Sequence, residues 1–373
     1  MRLSDFDYHL PQEMIAQKPA DPRDSSKLMV LDRNEWHHHA FLDLPRFLRP
    51  GDLLVLNNSR VIPARLFGIK ETGGRLEVLL VKRLDDKYYE CLVRGKVKVG
   101  AKINFTNISG TLEGRVDSPT GYRYHIRFQC EGDFMTCLLE VGVMPVPPYI
   151  KEELEDGERY QTIYSRCEGS IAAPTAGLHF TPQLIDTIER MGVKLAFVTL
   201  HVGVGTFMPV RAEDVEEHTM ESEYFIIDED TTRAINDTIE IDGRIIVVGT
   251  TTVRALESAQ WLDGRIVPSR GWSEIFIHPP YQFRTPMSGI ITNFHLPKST
   301  LLMLISAYAG KDAVLAAYKE AIDNGYRFYS FGDAMFILDN KKSGDKGLID
   351  DTVGNMRADN TKMAEDNRGA EHV

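Results

Sequence analysis

Cysteine is scarce: the 373 residues hold four, at positions 91, 130, 137 and 167, and no two form a C-x-x-C pair. A disulfide scaffold is therefore not expected, and a structural zinc site has no ligand spacing to rest on. Long apolar runs are missing as well. A run such as that within Leu301–Ala307 falls far short of the roughly 18 residues that a membrane span needs. The N-terminal stretch MRLSDFDYHLPQEM carries acids and no hydrophobic segment, so it does not read as a secretory signal. No internal repeat is visible. With 43% apolar and 26% charged residues, global disorder and a fibrous fold are also excluded. What remains is a soluble, reduced, cytoplasmic protein, of two or three domains at roughly 100–200 residues each.

Positive charge is in deficit overall, with 43 bases against 54 acids for a net −11, which argues against a nucleic-acid partner. The deficit is uneven. Residues 60–105 hold eleven bases and five acids, +6 locally, leaving −17 for the rest. A basic region on an acidic chain can attract phosphate, since exposed charges act over about 8–10 Å. A solvated lysine-rich β-domain is the equally acceptable alternative.

Residues 1–63 read as short helical pieces near Ser4 and Pro11–Ala16, with strands near Lys27–Asp32 and Leu53–Asn57. Between about Ala64 and Ile150 come short β-like runs (RLFGIK, RLEVLLVKR, YYECLVRG, KINFTN, TLEGRV, YRYHIRF) punctuated by glycine, then a short helix near Gly132–Val141. That spacing predicts a small antiparallel barrel. From about Tyr160, strands alternate with helices, the pattern of a three-layer α/β sheet domain. Thr181-Pro182 is a cap followed by proline at the first helical position, VKLAFVTL and RIIVVGT read as buried strands, and LLMLISAYA as a buried helix. The expected organisation is an α/β domain made of 1–63 and 151–338, a barrel inserted at 64–150, and an unstructured tail at 339–373.

Four connectors attract attention: APTAGLHF (173–180), LHVGVGTF (200–207), GTTTVR (249–254) and TNFHLPKST (292–300). Each leads from a strand toward a helix or turn, and in open α/β sheets ligands collect outside the carboxyl ends of strands. His179 and His295 precede helix starts, which disfavours imidazolium, and His201 follows a strand directly. Any one histidine alone reads as structural. Three in corresponding connectors point to a function for at least one. Several signatures fail: Gly203-Val204-Gly205 would need its third glycine at Met208, GTTTVR has no Walker lysine, and no G-x-S-x-G elbow is present. His37, His38 and His39 lie in a strand-like run whose alternation turns the middle one away, so a three-histidine metal site is not expected there.

The connectors, together with LSDFDYHLP (3–11), PGDLLVLNNSRVIPARLFG (50–68), YQTIYS (160–165), EEHTMESEYF (216–225) and YRFYSFGDAMFI (326–337), closely resemble the S-adenosylmethionine:tRNA ribosyltransferase-isomerase family of the queuosine pathway. The motifs run in family order across roughly residues 1–338. Two departures stand out: Met287-Ser288 where the family usually reads Val-Asp, and Glu221 where it often has histidine.

The resemblance implies transfer and isomerisation of the ribosyl part of S-adenosylmethionine onto 7-aminomethyl-7-deazaguanine at the tRNA wobble position, giving epoxyqueuosine, adenine and methionine. It implies S-adenosylmethionine as co-substrate, no prosthetic group or metal, no membrane, and a monomer. A sulfonium acidifies the adjacent C5′ proton, so a neutral base can start the reaction, and an acid would assist adenine to leave. The candidate catalytic residues are His179, His201 and His295, with His179 slightly preferred as base and Glu257 the competitor. Candidate substrate contacts are Thr175 and Gly177, then Gly203, Gly205 and Thr206, then Thr250, Thr251, Thr252 and Arg254, and finally Asn293. Candidate tRNA contacts are Arg60, Arg65, Lys96, Lys98 and Lys102. Two rivals stand beside this reading: a metal-dependent hydrolase ligated by the three histidines, and a non-enzymatic RNA-binding module built on the barrel.

Overall fold

Four segments with almost no solvent-facing side form the parallel centre of a nine-stranded sheet: Lys194–Leu200, Leu53–Asn57, Ile245–Val248 and Met287–Asn293, in that spatial order. Strands covered on both faces need no apolar–polar alternation, which is why VKLAFVTL and RIIVVGT show none. Beyond Met287–Asn293 the sheet continues with Ala334–Leu338 antiparallel, Lys27–Asp32 parallel to that strand, and Glu35–Ala40 antiparallel at the edge. On the other side Glu223–Ile227 and Ser269–Ser273 add antiparallel strands. The computed structural model giving this architecture describes residues 1–32, 35–118, 121–152, 154–207, 210 and 212–339, without the side chains of Thr206 and Phe207. The tail expected at 339–373 lies outside the described residues from position 340 onward.

Helices flank the sheet and start where their caps stand. The Thr181 hydroxyl accepts from the Leu184 N–H at 3.2 Å and opens Pro182–Arg190, and Ser299 opens Thr300–Ala309 in the same way. Leu301 through Ser306 are buried, as an all-apolar helix requires. Among the described residues no single helix is long and apolar enough to cross a membrane.

Six antiparallel strands close a barrel: Arg65–Lys70, Arg75–Asp85, Tyr88–Arg94, Lys102–Phe105, Ile108–Ser118 and Gly121–Gln129. Their inward positions alternate with outward ones, so that Leu76, Val78 and Leu80 share a core with Phe105 and Phe128. The helix Phe134–Val141 adds Phe134 and Leu138 to that core. The chain enters and leaves the barrel side by side. The Val143 N–H donates to the Arg65 carbonyl at 2.8 Å and the Arg65 N–H to the Val143 carbonyl at 3.2 Å. At Gly142 a Cβ would stand 2.0 Å from the Pro63 carbonyl oxygen, so the two passing segments leave no room for a side chain.

The expected α/β fold with an inserted antiparallel barrel is therefore present. One strand sits elsewhere than the alternation suggests. Cys167–Ser170, which leads to the first connector, pairs with Ser59–Val61 in a two-stranded sheet of its own. In the Glu35–Ala40 edge strand the histidines do diverge: His38 Nδ1 is 2.9 Å from the Tyr326 hydroxyl, whereas the His39 ring packs edge-on against Phe47.

Candidate active site

Parallel strands end on one edge, so the chain order of the central strands brings Asn57, His201, Gly249 and Asn293 to the same side of the sheet. Asn57 ties two of these ends together. Its amide donates to the Leu200 carbonyl at 3.0 Å, and its oxygen accepts from the Leu200 and Ser59 N–H groups at 3.1 Å.

All four connectors meet around a small polar cavity of about 30 Å³, lined by Thr175, Val202, Thr250, Asn293, His295 and Ser330 among others. That volume admits a water molecule or a single hydroxyl. His295 is held at three points: ring Nε2 lies 2.9 Å from Thr292 Oγ1, the backbone N–H donates to Tyr318 Oη at 2.9 Å, and the Tyr8 hydroxyl donates to the backbone carbonyl. His179 lies alongside, 5% exposed and stacked on Phe41 at 4.9 Å between ring centres. The Asn293 amide donates to the Tyr329 carbonyl at 3.0 Å, which sets its orientation, and the same nitrogen lies 3.3 Å from His179 Nε2. Nε2 is thus the acceptor, and the ring proton sits on Nδ1, 2.7 Å from the Ser26 hydroxyl. Burial pushes both His179 and His295 down to about 3, with Arg327 and Arg23 adding to the effect at His179. Loss of solvent, rather than the helix ends invoked from sequence, is the leading cause of their neutrality.

His201 is placed differently. It faces a cavity of about 840 Å³ between barrel and sheet, lined from the barrel by Lys82, Arg83, Tyr89 and Arg123 and from the sheet by Gly203, Glu221, Glu223 and Trp272. This volume falls in the range of small-molecule sites. Val202, the next residue, lines both cavities and is the wall they share. His201 Nδ1 has no hydrogen-bond partner, and burial lowers its pKa from the ordinary value. Gly169 packs directly on the ring. Beside it Glu223 accepts the Gly203 N–H at 2.8 Å and pairs with the Arg254 guanidinium. From the barrel, the buried Arg123 pairs with Glu221.

The remaining expected residues separate along these lines. Thr175, Thr250, Thr251 and Asn293 line the small cavity and Gly203 the large one. The Thr252 hydroxyl donates to the Val248 carbonyl at 2.6 Å, Gly177 packs under the Tyr164 hydroxyl, and Gly205 lies against Glu221. The side chain of Thr206 is outside the described residues. Glu257 is fully buried and accepts from the Tyr281 hydroxyl and the Arg284 and Thr285 N–H groups at 2.9–3.1 Å. It latches a loop to its helix. The three histidines do not converge, and among the described residues no three His, Cys, Asp or Glu side chains form a group able to hold a metal ion. The hydrolase reading thus lacks its ligand set.

The basic segment is divided too. Arg60 pairs with Glu158 and Arg65 with Glu77, while Lys102 approaches Glu71 at 3.9 Å. Lys96, Lys98 and Lys102 are exposed, beyond the end of the Arg75–Asp85 and Tyr88–Arg94 hairpin opposite to its cavity-lining end. Lys82, Arg83, Arg123 and Trp272, which do line the cavity, carry no individual signal in the sequence. Only the EEHTMESEYF motif points toward two of the wall residues, Glu221 and Glu223.

Comparison with known proteins agrees in one direction. A family model described as queuosine biosynthesis protein matches residues 3–337. The S-adenosylmethionine:tRNA ribosyltransferase-isomerases of Symbiobacterium thermophilum and Pelotomaculum thermopropionicum are each 53% identical over 344 residues, 91% of this chain and 100% of theirs. The crystal structure of S-adenosylmethionine tRNA ribosyltransferase from Thermotoga maritima is 40% identical, covers 90% of this chain and 100% of its own, and superposes with a TM-score of 0.53.

Proposed function

Because the chain belongs to the S-adenosylmethionine:tRNA ribosyltransferase-isomerase family of queuosine biosynthesis, we propose that its reaction runs in the large cavity with His201 as the base. The protein is a transferase and isomerase that moves the ribosyl part of S-adenosylmethionine onto the 7-aminomethyl-7-deazaguanine of tRNA. The observation that carries the placement is His201 in the lining of a cavity of about 840 Å³, with a ring nitrogen, Nδ1, that no hydrogen bond occupies.

Three features support it. The small cavity, at about 30 Å³, cannot take a nucleoside, so the bulk of the co-substrate belongs in the large one. His179 has both ring nitrogens engaged, whereas His201 keeps one nitrogen for a proton. Its lowered pKa leaves it neutral at pH 7, as removal of the C5′ proton next to a sulfonium requires. In this reading His179 and His295 hold Asn293 and the connectors in place. Thr250, Thr251 and Asn293 meet a hydroxyl of the substrate through the small cavity, and Gly203 presents backbone to the large one. The organisation proposed is catalytic residues 1–63 and 151–338 around an inserted barrel, 64–150, which shares the tRNA with the sheet. Exposed Lys96, Lys98 and Lys102 supply long-range attraction, and Arg60 and Arg65 shape the barrel's base. The protein acts as a cytoplasmic monomer, with S-adenosylmethionine as co-substrate and no prosthetic group.

The test is release of adenine and methionine from S-adenosylmethionine, dependent on the modified tRNA, with His201→Asn beside the parent protein. The expected result is a loss of roughly two to four orders of magnitude in turnover with both substrates still bound. Near-normal turnover in His201→Asn would remove the base from this cavity.

A further inference from the structure

One pair on the rim of the large cavity takes no part in the chemistry above. Lys82, near the end of the Arg75–Asp85 barrel strand, holds its ammonium 4.1 Å from the ring centre of Trp272. Trp272 stands on Ser269–Ser273, the edge strand of the nine-stranded sheet, and is 48% exposed. Its ring is not loose. Tyr224, its partner in register on the adjacent strand, packs edge-on against it at 5.2 Å and 62°. The rim thus offers a braced, open aromatic surface with a cation over it, contributed by opposite walls of the cavity.

That combination has a chemical meaning where a nucleic acid must enter. A base undergoing chemistry has to leave its stack, and its neighbour then loses a stacking partner. Every base has a π-face, so an aromatic side chain at the mouth replaces that partner without regard to sequence. Lysine is a compact charge on a flexible stem and can pass from the indole face to a phosphate. We propose that Trp272 and Lys82 form a nucleotide subsite at the cavity rim, where the indole stacks on the unpaired base beside the one inside and the ammonium meets its phosphate. This rests on the reading that the modified base is treated in the large cavity.

The chain has three tryptophans, at 36, 261 and 272, so full-length protein carrying Trp36→Phe and Trp261→Phe reports on Trp272 alone. An anticodon stem–loop RNA with unmodified guanine at the wobble position, added without S-adenosylmethionine, should quench its fluorescence. Trp272→Ala should weaken binding of that RNA roughly 5- to 150-fold, with Trp272→Phe retaining most of the affinity. Lys82→Ala should lower the salt slope of binding by roughly 0.7. Absence of quenching together with unchanged affinity in Trp272→Ala would overturn the subsite. Quenching that persists beside normal turnover in His201→Asn would support the subsite while refuting the placement of the base, so the two readings fail separately.

Discussion

The imidazole of His201 rests on the backbone of Gly169, where a Cβ would lie 2.9 Å from Cε1 and 3.0 Å from Nδ1 of the ring. Gly169 has φ +139°, a conformation that side chains rarely adopt. Space and backbone angle therefore demand glycine at the same point. The short Cys167–Ser170 strand, outside the main sheet, sets the position of the candidate base.

Gly169→Ala should displace the ring. A misplacement on the order of 1 Å costs about 100-fold in rate, so kcat should fall by one to two orders of magnitude while the Kd for tRNA stays put. Steady-state kinetics with a filter-binding titration checks this. An unchanged kcat would show that the packing of the ring on Gly169 has no bearing on the reaction.

The pH profile follows from the direction of the shift. Burial lowers the His201 pKa below its ordinary 6.5, so the neutral form persists through pH 7 and above. The kcat/KM for adenine release should be level on that side and fall only below about pH 6.5. An acid limb centred above 6.5 would place the base on another residue.

Stability should have its own acid dependence. His179 and His295 are held down to about 3 in the fold and return to about 6.5 on unfolding. The unfolded chain then binds protons that the folded one refuses. Their stabilising effect is complete above pH 6.5 and is lost as pH falls toward 3, at roughly 1.4 kcal/mol per pH unit for each. Urea unfolding between pH 7 and 5 should show this slope, and His179→Gln should flatten it by about half.

The Glu223–Arg254 pair is buried, with 2% and 4% of the two side chains exposed. Arg254→Met takes the cation from a buried carboxylate and should cost about 3–5 kcal/mol. Adding Glu223→Gln should return part of that loss, because the two residues act on each other. A double variant as unstable as the sum of the single ones would show that the pair does not interact.

For the exposed lysines, replacing Lys96, Lys98 and Lys102 together by Ala should reduce the log–log salt slope of tRNA binding by roughly 0.7–0.9 for each phosphate left unneutralised. With saturating tRNA, kcat should be unchanged. A lowered kcat would bring this end of the barrel into the active site.

Much of this architecture was legible because burial writes itself into sequence. Leu53–Asn57, Lys194–Leu200 and Ile245–Val248 lack the apolar–polar alternation of a half-covered strand, and Thr181 announces its helix. The carboxyl-end connectors were visible as well, since strand order along the chain predicts where they emerge. The pairing between elements was not. Nothing local in WLDGR or SRGWSE tells that Trp272 will face Lys82 across a gap, and no spacing rule joins Arg123 to Glu221. The choice of base among the three histidines meets the same limit. Whether an imidazole nitrogen is occupied depends on Ser26 and Asn293, 153 and 114 residues away in the chain.

The doubled hydrogen bond between Arg65 and Val143 alters what the barrel means to the rest of the molecule. Loop-closure entropy grows with the length of chain whose ends must be brought together, but here the barrel's own strands bring them together. To the sheet, the whole excursion counts as a hairpin bend. Strands inside it can lengthen or shorten, and side chains on its rim can change, without altering the separation of Pro63 and Met144. The barrel can thus drift in size and shape while the sheet edge bearing His201 stays where it is.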